Sequence, residues 1–513
     1  MAIDPRPSTL PKWYHEVCVL AVVALSNILN QAGAVQTLPS MNILTDAFDN
    51  VTSADRSWFM AAFPLTSGAL ILISGKFGDL YGLKKVMLCG TAWGALWTLL
   101  AGLSGYTNSV VFFCICRAMH GVGVAFVFPN AVGTMGALYT NGQRKANAFS
   151  FIGAMAPAGA TLGVVFSALT AQFGHWQWAY YANCIVFVIL GIMIWFFIPD
   201  IPRHAAPEVT MDWLGSAVGV AGLVLFNFAS NQAPEAGWGS PYIIVLYIIG
   251  ILLIVLFFFV ELRAKYPLVP KEIMHIQTLL VLLPVGAGWG SFSIYMFYFW
   301  SLVMNLKGYT PLAGASTYVT FLVFGMLAAA TCSFLIRRVR QAFILLAANF
   351  AFFIGITMLA TSPVHQTYFS MLFAQMIIIS FGMDLSFPAS SLILSDALPK
   401  KHQGMASSLV STMINYSMSI SLGYAATADV KVFASTGDSL KAYRAAMYVG
   451  IGFSGVGVLL AFVLLVLSYI RTDRHKGVAV SADSTDQGDN MTEEKDADAF
   501  EQTSQHVSRD HTV

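Results

Sequence analysis

Gly75-Lys76-Phe77-Gly78-Asp79-Leu80-Tyr81-Gly82-Leu83-Lys84-Lys85 is a short polar break between two long apolar runs. It gathers three glycines, one aspartate and three lysines in a chain of which only 10% is charged. A membrane-crossing chain can place such charge only where the break lies in water, and lysines favour the cytoplasmic side. The stretch therefore separates two spans and orients the whole chain.

Outward from it the sequence is apolar. Of 513 residues 57% are hydrophobic, with 38 phenylalanines and 42 glycines, too apolar for a soluble globular protein. A spanning helix needs about 20 consecutive apolar residues. Fourteen runs qualify: 15–38, 57–75, 86–104, 110–138, 146–171, 178–198, 212–232, 242–262, 278–301, 313–336, 341–361, 367–392, 405–429 and 445–470. With the N-terminus in the cytoplasm, 21 basic residues fall in inside segments. Only Arg56, Lys307, Lys431, Lys441 and Arg444 fall outside, and Arg117 alone lies within a span. One helix more or fewer would scramble this division, so both termini are expected in the cytoplasm.

The flanks agree with that picture. Residues 1–14 are polar and proline-rich, and the run after them is long enough to span, so it reads as an uncleaved first helix. Trp13, Tyr14, Trp58, Trp176, Trp178 and Trp238 stand where runs meet loops, as in an aromatic belt at headgroup depth. The sequon at Asn50 sits in the first outside loop and predicts a glycoprotein in a eukaryote, whereas those at Asn415 and Asn490 lie in a helix and in the tail. The tail from 471 to 513 is acidic, rich in Ser and Thr, and expected to be disordered. All six cysteines lie in apolar runs, and Cys114 and Cys116 point to different helix faces, so neither a disulfide framework nor a metal site is expected. No basic patch outside the loops points to nucleic acid.

A weak repeat divides the chain. The first six and last six spans each carry a basic break after their second member, 75–85 and 336–340, and two spans between 212 and 262 interrupt the symmetry. The expected fold is an all-α polytopic membrane protein: residues 15–198 and 278–470 as two six-helix bundles, 199–277 as a two-helix insert. Such halves make a transporter architecture with a site near the midplane.

Here the motifs carry a family resemblance. Gly75 to Lys85 resembles the major facilitator superfamily signature G-x-L-A-D-R-x-G-R-K between helices 2 and 3. Its glycines permit a tight turn and close helix contact, and Asp79 can face the positive N-terminus of the helix beginning near Met405. The resemblance implies a conformational latch of Gly75, Gly78, Asp79, Gly82, Lys84 and Lys85. Leu80 and Leu83 replace two family arginines, so any salt-bridge latch must lean on Lys84 or Lys85. Arg117-Ala118-Met119-His120-Gly121-Val122-Gly123 looks like the helix-4 pattern R-x-x-Q-G-x-G, with His120 for glutamine. Gly153, Pro157, Gly159 and Gly163 resemble the helix-5 antiporter signature, with Ala-Pro for the usual Gly-Pro. Asp212-Trp213-Leu214-Gly215 and the turn at 237–241 are similar to the insert of the fourteen-helix drug:proton antiporter branch. Asn30 to Ala34 and Gly382 to Pro388 are most similar to a fungal subgroup with aminotriazole-resistance, boron-efflux and low-affinity ammonium transporters.

Several side chains are candidates for the substrate or proton pathway. Arg117 is a charge that must find a partner or water, so it serves proton coupling or substrate binding, or else acts as a hydrogen-bond hub. His120 lies one turn away on the same face, as a proton relay or a neutral packed histidine. Asp384 can bind a cation or a proton, or can anchor the Pro388 kink. Asn27, Asn30 and Gln31 form a polar stripe on one face, toward a cavity or another helix. The fourteen-helix branch usually carries an aspartate at position 30, and its absence favours small polar solutes over bulky lipophilic cations. Tyr295 offers a hydroxyl to a substrate, while Asn415, with Ser411 and Thr412, can equally be helix–helix glue.

The implied function is a secondary transporter with alternating access, exporting a small polar compound or xenobiotic in exchange for protons. A facilitator or uptake carrier, for example of ammonium, and a non-transporting sensor are the alternatives. No nucleophile–base cluster suggests an enzyme and no Gly-rich Lys-Ser/Thr loop suggests ATP. A monomer in the plasma membrane, or the vacuolar one, without cofactor, is expected.

Overall fold

The computed structural model describes residues 7, 10, 12–49, 51–139, 143–201, 209–269, 271–336, 338–396 and 403–470. Asn50, most of the N-terminal segment and the tail 471–513 lie outside them, and with them the expected glycosylation and tail disorder. Among the described residues there is no strand. The long helices are α1 Trp13–Val35, α2 Ser53–Tyr81, α3 Leu83–Leu103, α4 Val110–Leu138, α5 Gln143–Phe173, α6 Trp178–Phe197 and α7 Trp213–Ala236. They continue with α8 Pro241–Arg263, α9 Ile276–Ser301, α10 Tyr318–Leu335, α11 Gln341–Thr361, α12 Met371–Asp396 and α13 Gln403–Thr436. The last is α14, Ser439–Ile470. The chain divides into Met1–Ala461, which holds everything discussed below, and Phe462–Val513, described only through the last turns of α14.

Thirteen of these helices are long and apolar enough to cross a membrane by themselves. The exception is α13, 34 residues whose serines, threonines and Asn415 dilute its apolarity. It crosses because protein, not lipid, surrounds it: α2, α7, α9 and α12 pack on it. Several of its hydroxyls bond backbone carbonyls, as Thr427 on Gly423 (2.9 Å) and Ser421 on Met418 (3.3 Å).

The polar stretch that opened the sequence is narrower than a loop. Helix α2 runs through Lys76 to Tyr81 and stops at Gly82, whose φ of +102° an L side chain rarely adopts; α3 begins at the next residue. Gly78 lets α2 approach Asn130 of α4, and a Cβ there would also meet Leu83 at 2.7 Å.

Small residues set the helix contacts elsewhere. Within the first six helices, a Cβ on Gly159 would lie 2.7 Å from Ile28 Cα and one on Gly163 2.6 Å from Ala32 Cα, so α5 lies directly on α1. Among the last six, Gly288 and Gly382 both receive the ring of Phe352, joining α9, α11 and α12. Two seams cross between the groups. Along α2 and α13, Gly68 meets the Tyr416 amide nitrogen (2.7 Å for an added Cβ) and Ser419 donates to the Ala61 carbonyl (2.9 Å). Along α5 and α10, Pro157 packs on Gly325. The insert α7–α8 covers the first seam: Asn227 donates to the Tyr416 carbonyl (3.4 Å) and accepts from Ser419 (2.9 Å).

The aromatic belt is corrected in part. Trp13, Tyr14 and Trp178 are exposed on the helix surfaces, but Trp58 and Trp176 are buried. Trp176 fills a ring cluster with Phe48, Phe113 and Tyr180. Position along a helix sets depth in the bilayer, whereas azimuth decides whether a ring meets lipid or protein.

Candidate functional site

Two buried charges anchor the interior. Arg117 on α4 is fully buried. It donates through Nη2 to the Gly33 carbonyl of α1 (2.6 Å) and through Nε to the Phe59 carbonyl of α2 (3.5 Å). Its Nη1 meets His120 Nδ1 at 3.1 Å. Arginine has no acceptor, so Nδ1 accepts and the ring proton sits on Nε2, which has no partner among the described residues. The rings of Phe63 and Tyr180 flank the guanidinium at 5.1 and 5.9 Å. Of the two readings of Arg117 and His120, this geometry has the form of the hub, tying α4 to α1 and α2.

Asp384 stands in the opposite condition. It is 8% exposed, and its Oδ2 has no hydrogen-bond partner among the described residues. A Cβ placed on Gly325 would lie 3.0 Å from that oxygen and 2.9 Å from Pro157 Cβ. The carboxylate of α12 thus reaches the seam at which α10 of the last six helices meets α5 of the first six. Pro157, read from the helix-5 signature, and Asp384, read as a lone acid, are brought together; nothing in the spacing of residues 157 and 384 signals it.

The helix-1 stripe separates. Asn27 donates to the Ile152 carbonyl of α5 (2.8 Å), a helix-to-helix tie. Asn30 donates to Gln31 Oε1 (3.1 Å), and Gln31 Cβ would lie 3.2 Å from a Cβ on Gly159, so this pair stays beside the signature glycines. Among the described residues outside its own helix turn, no atom lies within 4 Å of a Cβ built on Gly153. Asn415 donates to its own helix at Ser411 (3.0 Å) and lies against Gly68, as glue along α2 and α13.

Tyr295 is buried with its hydroxyl unpartnered, stacked between Phe292 and Phe299. One turn earlier on the same face of α9, Ser291 Oγ is also without a partner. Gln375 of α12 is fully buried with both amide atoms unpartnered. Buried polar groups are nearly always satisfied, so each of these atoms, without a partner among the described residues, is open to another polar species. Ser291 and Gln375 were missed from sequence, because single polar residues in apolar helices carry no spacing signal.

The two ends differ. At the Asn305 end, Asn42 Nδ2 donates to Asn305 Oδ1 (2.7 Å) and Arg56 to Asn42 Oδ1 (3.0 Å). Asn305 also donates to Tyr443 (2.8 Å) and Tyr298 to Asp429 (3.2 Å), so side chains of both groups bridge that end. At the Gly82 end the two latch lysines stand at the surface or beside α6. Lys84 faces Asp200, just past α6, at 3.8 Å, and Lys85 is exposed. Gly75 remains close to α13, 3.8 Å from Ser408 Oγ for an added Cβ. Leu80 packs into an apolar cluster of Ile73, Met211 and Leu268, which explains a leucine at a family arginine position. Leu83 fills the gap between Gly78 and Gly133. No group of three or more His, Cys, Asp or Glu among the described residues could hold a metal.

The sequence matches the Major Facilitator Superfamily over residues 20–422. It is 44% identical to the aminotriazole resistance protein of Saccharomyces cerevisiae over 92% of this chain and 88% of that protein. It is 41% identical to the low affinity ammonium transporter of the same yeast over 89% of both chains. Its fold is similar to that of the POT family transporter PepTSo, with a TM-score of 0.65 at 14% identity, covering 90% of this chain and 99% of the other. Fourteen helices, the two cross-group seams and a match over most of the length agree: the chain belongs to the major facilitator superfamily and is a multi-pass membrane transporter, not an enzyme.

Proposed function

We propose that the transporter exports a small polar solute or xenobiotic in exchange for protons, and that Asp384 carries the proton step. The observation that carries this reading is the unpartnered Asp384 oxygen at the Pro157–Gly325 contact. A carboxylate there changes its neighbours whenever α5 and α10 move apart, so its protonation and the opening of the seam are linked. Ser291, Tyr295 and Gln375 supply donors and acceptors to the solute, with Asn30 and Gln31 opposite. Arg117, His120, Asn27 and Asn415 hold the helices that frame the path.

In this reading residues 15–198 and 278–470 are the moving bundles, 199–277 the insert and 1–14 and 471–513 cytoplasmic extensions of a plasma-membrane monomer. The Gly82 end faces the cytoplasm and the Asn305 end, bridged by Asn42 and Asn305, faces outside near a glycosylated Asn50. The resistance named for one yeast relative supports export. The name of the other supports a second reading, ammonium movement. A deletion strain expressing the chain, challenged with aminotriazole, borate and ammonium at two external pH values, decides between them. Asp384→Asn is expected to reduce flux to background with surface expression unchanged, and wild-type flux from this variant would overturn its role.

A further inference from the structure

Helices α7 and α8 stand apart from the site above, yet their Gly82 end holds a buried acid, Glu261, and a part-buried one, Asp212. Glu261, in the last turn of α8, is 0% exposed. Its Oε2 accepts from the Val269 amide (3.0 Å), and its Oε1 has no partner among the described residues. Asp212 caps α7, with Oδ1 accepting from the Gly215 amide (2.8 Å), and its Oδ2 is likewise unpartnered. Both free oxygens point at one spot. A Cβ on Gly215 would strike Asp212 Oδ2 and lie 2.8 Å from Glu261 Oε1. Glycine is required there because the carboxylates occupy the space.

Among the described residues the charges around this point are few. Lys76 and Asp79 come from α2, Arg263 ends α8, and Lys265 lies over the Tyr266 ring, 5.3 Å from its centroid. The Lys76 ammonium feels Asp79, Glu261 and Asp212. It donates to the Pro267 carbonyl (3.4 Å), within ion-pair distance of neither Asp212 nor Glu261 among the described residues. Two converging carboxylates away from water repel each other, and one proton between them removes the repulsion and fills both empty acceptor positions.

We infer that Asp212 and Glu261 form a proton-binding site with Lys76 as its counter-charge, built into the two-helix insert. Its position gives it leverage. The segment Pro267–Val269 that Glu261 and Lys76 hold also places Leu268 in the cluster with Ile73 and Met211, against which Leu80 packs. Proton uptake neutralises one carboxylate, weakens the hold on Lys76 and loosens the end of α2 from the insert. The site extends the proton-coupled reading, but binding of the proton can be measured without transport.

The test uses the full chain in lipid nanodiscs, titrated while the infrared carbonyl band of protonated carboxylic acids is recorded. Wild type is expected to gain, on acidification, a component of this band that is absent from Glu261→Gln. Lys76→Met is expected to move its midpoint to higher pH, since removing a cation favours the neutral acid. An identical band in wild type and Glu261→Gln overturns the site. Should Glu261→Gln fail to fold, Asp212→Asn carries the same comparison. In cells, Glu261→Gln is expected to flatten the dependence of transport on internal pH. A Glu261-dependent band beside pH-insensitive wild-type flux would keep the site and defeat the proton-coupled reading instead.

Discussion

Arg117 and Asp384 are both ionisable groups buried in membrane helices, and their surroundings differ in kind. Arg117 is surrounded by partners that belong to its own six-helix group: two carbonyls, one histidine nitrogen and two aromatic faces. Asp384 has an oxygen with no hydrogen-bond partner among the described residues, beside the Gly325 position at which α10 packs on Pro157 of α5. A charge satisfied by backbone within one rigid group stabilises that group and gains nothing when the groups move. A charge left open at a seam between groups is sensitive to that movement. The same residue class is thus satisfied inside one group in one place and left open beside a seam in the other, among the described residues.

The comparison can be broken most directly at the scaffold. Arg117→Ala strands two buried carbonyls and a histidine nitrogen and leaves a cavity, a loss of about 2–5 kcal/mol. The expected outcome is a lower melting temperature and little folded protein in detergent-solubilised membranes; a stable but inactive variant would instead move Arg117 into the transport path. Next comes the seam. Gly325→Val places a side chain against Pro157 and Asp384, with overpacking of about 1–3 kcal/mol. Flux should fall far more than thermal stability, measured on the same preparations. Smaller still is Leu80→Arg, which restores the family residue into the apolar cluster and should lower stability by about 1 kcal/mol, read by thermal unfolding. The mildest is His120→Gln. Glutamine keeps an acceptor for Arg117 Nη1, so stability should change by less than about 1 kcal/mol and flux should persist. A proton relay through His120 would abolish flux in that variant and collapse the distinction between the two charges.

Much of the fold was legible. Apolar run length and the alternation of basic loops placed fourteen helices, and 110–138 and 341–361 match the observed limits. Residues 405–429 count among the spanning runs, and the helix there, α13, is the one whose polar residues keep it below the apolarity of the other thirteen. The glycines at 78 and 82 read as a close contact and a turn, and those at 159 and 163 as part of the helix-5 signature; in the structure 78, 159 and 163 lie against a neighbouring helix and 82 has a positive φ. The functional residues were legible only as candidates. Asn27 and Asn30 share a face on α1, yet one ties α5 through a carbonyl and the other pairs with Gln31. Ser291 and Gln375 gave no signal, since what distinguishes them is the lack of a partner.

The sequence by itself determined how many times the chain crosses, where glycine allows helices to touch, and which family it joins. These follow from local properties: run length, charge beside each run, and the absence of a Cβ. Only the tertiary structure decided which buried polar atoms are satisfied. Hydrogen bonds between helices join residues far apart in sequence, as Arg117 with Gly33, and Asp384 comes to lie beside Gly325 and Pro157 only where three helices meet.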